Sequence, residues 1–132
     1  MQRYETHIMR LYVSGPMSGK PRFNFDAFEA ATSNLRARGY TVFSPAEMDV
    51  EAGIDPDNEG ADQEPNAYAE FLARDIRVIA KERIDAIVVL PGWEKSGGAN
   101  TEVAFGDALG LPILRYPDLK QITGIRRGAS HG

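Results

Sequence analysis

A chain of 132 residues, 42% hydrophobic and 26% charged, is long enough for one domain with its own core and has an ordinary globular composition. It has no cysteine, which excludes disulfides, thiolate metal sites and cysteine nucleophiles. Its two histidines, His7 and His131, stand near opposite ends, which argues against a histidine metal site or a Ser/His triad. The net charge of −4 argues against a general binder of nucleic-acid polymers. No apolar run approaches the roughly 20 residues of a membrane span, so the sequence reads as a soluble, cytoplasmic protein.

In chain order, His7 to Ser14 (HIMRLYVS) predicts a first strand ending at Gly15-Pro16. Phe25, Phe28, Ala31 and Leu35 then recur at helical spacing, and Gly39 supplies the stop. Thr41 to Ser44 predicts a second strand, halted by Pro45. From Ala46 to Asn66 the chain is acidic and rich in Gly, Pro and Asp, with no periodicity, and is expected to form a lid or mobile loop. Eight acids and no Lys or Arg lie between Glu47 and Glu64, leaving 11 acids against 15 bases elsewhere. Tyr68 to Arg83 restores the helical pattern, with Phe71, Leu72, Ile76 and Ile79 on one face.

Ile84 to Leu90 (IDAIVVL) is the most apolar run and predicts a central strand buried on both faces. A short helix is expected over Ala99–Leu109, then a last strand, Ile113–Arg115. This places one α/β domain at 1–116, with 46–66 as an insertion and 117–132 as a tail. The alternation of strands and helices predicts a flavodoxin- or Rossmann-like three-layer sandwich with a four- to five-stranded parallel sheet. In such sheets ligands bind beyond the carboxyl ends of the strands.

Two loops lie at that end. The first, Ser14-Gly15-Pro16-Met17-Ser18-Gly19-Lys20, lacks Walker A spacing, because three residues separate the glycines and Pro21 follows the lysine. Its backbone and Ser18 are candidates for lining an anion or sugar site. The second, Trp93 to Glu102, is rich in small residues from Ser96 to Ala99 and opens a helix whose N-terminus suits a phosphate. Glu102 lies in the first turn of that helix and is the candidate nucleophile. Asp75, on the preceding long helix, is the candidate second acid that glycosidic chemistry needs. Asp85 falls at the amino end of its strand, on the wrong side of the sheet. No ligand spacing calls for a metal: Asp55, Asp57 and Glu59 alternate without the full calcium-loop pattern.

YVSGPMSG (Tyr12–Gly19), FNFDAFEAA (Phe23–Ala31), GYTVFSPAEMD (Gly39–Asp49), FLARDI (Phe71–Ile76) and DAIVVLPGWEKSGGANTEVAFGDALGLPI (Asp85–Ile113) together span most of the first 115 residues. In this order and spacing they resemble the nucleoside 2-deoxyribosyltransferase-like superfamily and, within it, small phage and bacterial proteins of a DUF4406 type. The resemblance implies that Glu102 is the nucleophile of a covalent deoxyribosyl intermediate, with Asp75 assisting at the base. Transferases acting on free nucleosides carry an Asp six residues before the nucleophile, where this chain has Ser96. That departure resembles instead the 2′-deoxynucleoside 5′-monophosphate N-glycosidases, in which such a Ser contacts the 5′-phosphate.

The resemblance further implies phosphate contacts from Ser96, Gly97, Gly98 and Asn100, and from the Gly15, Ser18 and Gly19 loop. Tyr12 is placed beside the sugar or simply in the strand, and Trp93 stacks on a base or anchors its loop. The expected partner is a small nucleotide or nucleoside, with no cofactor, in a homodimer or higher homo-oligomer. The alternatives are a nucleoside 2-deoxyribosyltransferase acting on free nucleosides, a non-catalytic nucleotide-binding or sensing module, and an interaction protein using the acidic segment.

Overall fold

The computed structural model describes residues 7–58 and 67–123. The elements are β1 (Arg10–Ser14), α1 (Phe25–Ala37), β2 (Thr41–Phe43), α2 (Pro45–Glu51), α3 (Ala67–Lys81), β3 (Ala86–Val89), α4 (Gly97–Ala108), β4 (Ile113–Arg115) and β5 (Lys120–Gln121). The sheet order is β2-β1-β3-β4-β5, the flavodoxin-like order expected. The first four strands are parallel, and β5 runs antiparallel to β4.

Side-chain alternation along the central strands sorts the core into two layers. Leu11, Val13, Ala86 and Val88 join Phe28, Ala31 and Leu35 of α1 and Ala46 of α2. Tyr12, Ile87 and Val89 point the other way, to Ile79 of α3 and Val103 of α4. The result is a three-layer α/β sandwich with β1 and β3 at its centre. Helix α4 lies close to the sheet because Gly106 has no side chain; a Cβ there would collide with Ile87 Cδ1. Among the described residues, no helix is long and apolar enough to cross a membrane.

Two expectations change. The segment from Ala46 is not irregular at its start, because Pro45–Glu51 forms α2. Pro45 takes the first helical turn, where its missing N–H is no loss, and Ser44 is the N-cap, its Oγ accepting from Glu47 N. Residues 59–66 of that segment lie outside the described residues. The tail, in turn, begins with structure: Asp118 accepts from Lys120 N at 3.1 Å and from Arg115 Nη2 at 2.6 Å, and the turn delivers β5 to the edge of β4. The parallel sheet therefore gains an antiparallel fifth strand from beyond residue 116.

Candidate active site

Tyr12 and Ser14 are two apart on β1, so both project to the α3/α4 side of the sheet. Helix α4 turns a stripe of Ala99, Glu102, Val103 and Gly106 inward, which puts a carboxyl where the 3.6-residue period demands an apolar side chain. Glu102 is only 5% exposed. Ser14 Oγ donates to its Oε1 at 2.7 Å, and Tyr12 OH donates to its Oε2 at 3.1 Å. Asp75 comes from the inward face of α3, one turn before Ile79, and its carboxyl interacts with that of Glu102.

Behind Asp75 stands Arg74. Its Nη2 donates to Asp75 Oδ1 at 2.6 Å and to Asp49 Oδ1 at 2.7 Å, while its Nε also reaches Asp75 Oδ1 at 3.1 Å. Three buried acids and one half-buried arginine thus form an interacting array across α2, α3 and α4.

Burial dominates the titration of this array. It pushes Glu102 well above the ordinary carboxyl range, and the neighbouring charge and hydrogen bond of Asp75 push it further, against the Ser14 and Tyr12 hydroxyls. Burial also raises Asp75, opposed by its bonds to Glu102 and Arg74. Asp49 is held up at about 6 by burial, against the pull of Arg74. Buried Tyr12 is raised well above its usual value, first by burial and then by the Glu102 charge, and stays a donor. Burial and mutual repulsion together oppose ionising both carboxyls at once.

The pair opens on a cavity of about 610 Å³. Its wall near α4 carries Ser96, Gly97 and Gly98, and the opposite loop brings Ser18 and Lys20. Among the described residues, the Gly97 and Gly98 N–H groups have no acceptor. Phe23 reaches the cavity from a backbone turn in which Arg22, Phe23 and Asn24 all have positive φ (51°, 54° and 61°). Such residues cost roughly 1–2 kcal/mol each. Asn24 Nδ2, donating to Pro16 O at 2.9 Å, helps hold the turn.

Residues 9–115 match the family described as "Domain of unknown function (DUF4406)". The chain belongs to this family. Among solved structures it is similar to one titled "Crystal structure of conserved protein from Enterococcus faecalis V583", at 15% identity and a TM-score of 0.50. The match covers 83% of this chain and 63% of that one, so this chain spans less than two thirds of its neighbour's length. At that identity the likeness concerns the fold alone. No curated protein matches.

In this DUF4406 chain, Glu102, Asp75, Ser96, Gly97, Gly98, Ser18 and Gly15 all line the cavity. Ser96 is also the N-cap of α4, its Oγ accepting from Ala99 N at 3.1 Å. Gly15 has a second constraint, since a Cβ there would lie 2.9 Å from Leu90 Cβ. Three further candidate contacts are placed differently. Tyr12 is fully buried, and its hydroxyl donates to Glu102. Asn100 turns its side chain back to Glu94 O at 2.9 Å and Ser96 O at 2.8 Å, and its own N–H is spent on Ser96 O. Gly19 lies outside the cavity lining and serves the turn with a φ of 79°.

Trp93 packs against the α3/α4 core and is not in the lining either. Asp85 sits at the amino end of the sheet, as expected, accepting from Arg10 N at 2.7 Å and bonded to His7 Nε2 at 2.8 Å. The sequence reading missed Ser14, Arg74 and Asp49. Ser14 was signalled by strand alternation with Tyr12, and Arg74 by its place beside Asp75. Asp49 had no local signal, because it depends on α2 existing.

Proposed function

We propose that the protein breaks the N-glycosidic bond of a deoxynucleoside 5′-monophosphate, by hydrolysis or by transfer, through a covalent glycosyl ester on Glu102. The observation that carries this reading is the pair of interacting buried acids, Glu102 and Asp75, at the wall of a nucleotide-sized cavity, with Ser14 and Tyr12 donating to both Glu102 oxygens. Similarity to the nucleoside 2-deoxyribosyltransferase-like superfamily agrees with it. A Glu102 oxygen attacks C1′ as the C1′–N bond breaks, and the bonding pair leaves with the base. The proton that burial and Asp75 favour on Glu102 at rest passes to Asp75 as Glu102 attacks, and Asp75 gives it to the departing base. Asp75 then takes a proton from water or an acceptor base, which attacks C1′ and frees Glu102. Dividing the displacement in this way replaces one difficult step by two easier ones.

The Gly97 and Gly98 N–H groups, with Ser96, Ser18 and the cations Lys20 and Lys95 around the cavity, suit an anion. Binding energy from a phosphate held there aligns the reacting carbon. The test is chromatographic detection of free base from a panel of deoxynucleoside 5′-monophosphates and nucleosides, with wild type and Glu102→Ala side by side. Release from monophosphates that is lost in Glu102→Ala is the expected result. Release only from nucleosides in the presence of an acceptor base would return the protein to the free-nucleoside transferases.

A second reading, a nucleotide-binding or sensing module without turnover, is favoured by one feature. Glu102 is only 5% exposed, and both its oxygens already accept hydrogen bonds, from Ser14 and Tyr12. Tight nucleotide binding with no product, unchanged in Glu102→Gln, would establish it.

A further inference from the structure

We infer that Asp49 selects the base: the cavity takes a heterocycle bearing an exocyclic amino group, which donates to the Asp49 carboxyl. The inference rests on reading the cavity as a nucleotide site and names the substrate class. Asp49 is buried to 8% exposure on α2 yet lines the cavity, as do Asp75 and Glu102. Arg74 takes only Oδ1, and among the described residues nothing donates to Oδ2. Arg74 itself stands outside the cavity lining. This wall therefore offers a ligand acceptors, whereas the Gly97–Gly98 wall offers donors.

Position along the ligand follows from the array. Asp49 and Asp75 bind the same Arg74 nitrogen, at 2.7 and 2.6 Å, so they are near neighbours. With Asp75 at the departing ring nitrogen, Asp49 meets the heterocycle itself, among the apolar side chains of Pro45, Ile54 and Phe71. An amino group there satisfies the unpaired oxygen. A carbonyl oxygen would face a carboxylate, and a hydrogen would leave it unpaired, and sites built for a donor reject analogues that lack one.

The experiment uses the full chain carrying Glu102→Gln, so that nucleotide is not consumed. Calorimetry compares pairs differing by one amino group: dAMP against the deoxyribonucleotide of unsubstituted purine, dGMP against dIMP, and dCMP against the deoxyribonucleotide of pyrimidin-2-one. With Asp49 intact, the amino member of at least one pair should bind about ten-fold tighter or better. Adding Asp49→Asn should bring that pair within about three-fold. Equal affinities in every pair with Asp49 intact, no binding of any nucleotide, or a preference that survives Asp49→Asn would overturn the inference. The first comparison needs no substitution at position 49, so it stands even if that variant does not fold. Base release by wild type is scored separately: amino-selective binding without release removes the reaction and keeps Asp49, and release with equal affinities does the reverse.

Discussion

Replacing a buried, ion-paired acid is ordinarily destabilising, yet Asp49→Asn should favour the fold more and more as pH rises. Burial holds this carboxyl at about 6 against an ordinary 3.8, with Arg74 already beside it. The folded chain keeps the proton to higher pH than the unfolded chain does. The stability this supplies is complete below 3.8 and is lost as pH climbs to about 6. A gap near two pKa units, at about 1.4 kcal/mol each, makes the ionised form cost about 3 kcal/mol. The carboxamide has the same outline, accepts from Arg74 and does not titrate. Asp75 and Arg74, the charged groups against Asp49, are present in both proteins, so their own titration largely cancels in the comparison. The variant's unfolding free energy relative to wild type should therefore grow by about 2.4 kcal/mol between about pH 4 and about pH 7. Urea denaturation across that range reads it as a relative midpoint gain of about 1–2 M. A difference that stays flat or falls with pH would refute the reasoning, because Arg74 would then offset the whole cost of burial.

Ser14→Ala removes the donor 2.7 Å from Glu102 Oε1. That hydrogen bond favours the ionised form of Glu102, so the limb of the pH–rate profile for base release that reports Glu102 should move to higher pH. A lower kcat with unmoved limbs would leave Ser14 a merely structural role. Ser96→Ala loses the α4 cap and about 1 kcal/mol of stability, and should raise KM for a monophosphate but not for the matching nucleoside; equal changes would remove Ser96 from the phosphate. Gly15→Ala forces a Cβ to 2.9 Å from Leu90 Cβ. Overpacking of about 1–3 kcal/mol should lower Tm by roughly 4–10 °C, and an unchanged Tm would show that Leu90 moves aside freely.

The parallel core was legible because its signals are periodic and local. Leu11, Val13, Val88 and Val89 lie in apolar runs that only a buried strand explains, and the Phe28–Leu35 spacing only an amphipathic helix. The candidate acids were legible for a related reason. Glu102 follows a small-residue loop at the mouth of the most buried strand, and the sequence motifs supplied the rest. What escaped depended on meaning carried between elements. Pro45 reads as a breaker after a strand, but with Ser44 before it and Glu47 after it the same residue starts a helix. Missing α2 meant missing Asp49. The two residues of β5 are too few to alternate, and only the Asp118 turn makes them a strand. Tyr12 and Asn100 carry the right chemistry for ligand contacts, but the Tyr12 hydroxyl is spent on Glu102 and Asn100 Nδ2 on carbonyls of its own loop.

The fifth strand decides where this chain can be cut. The family match ends at Arg115, but Leu114 and Arg115 pair with Gln121 and Lys120 just beyond it. A protein ended at Tyr116 would keep the cavity-lining residues and expose the backbone donors and acceptors of β4. An unpaired strand edge beside an apolar core is a template for another chain. The two residues of β5 leave a shorter edge in place of that of β4, and their loss should be felt as aggregation before it is felt as lost chemistry.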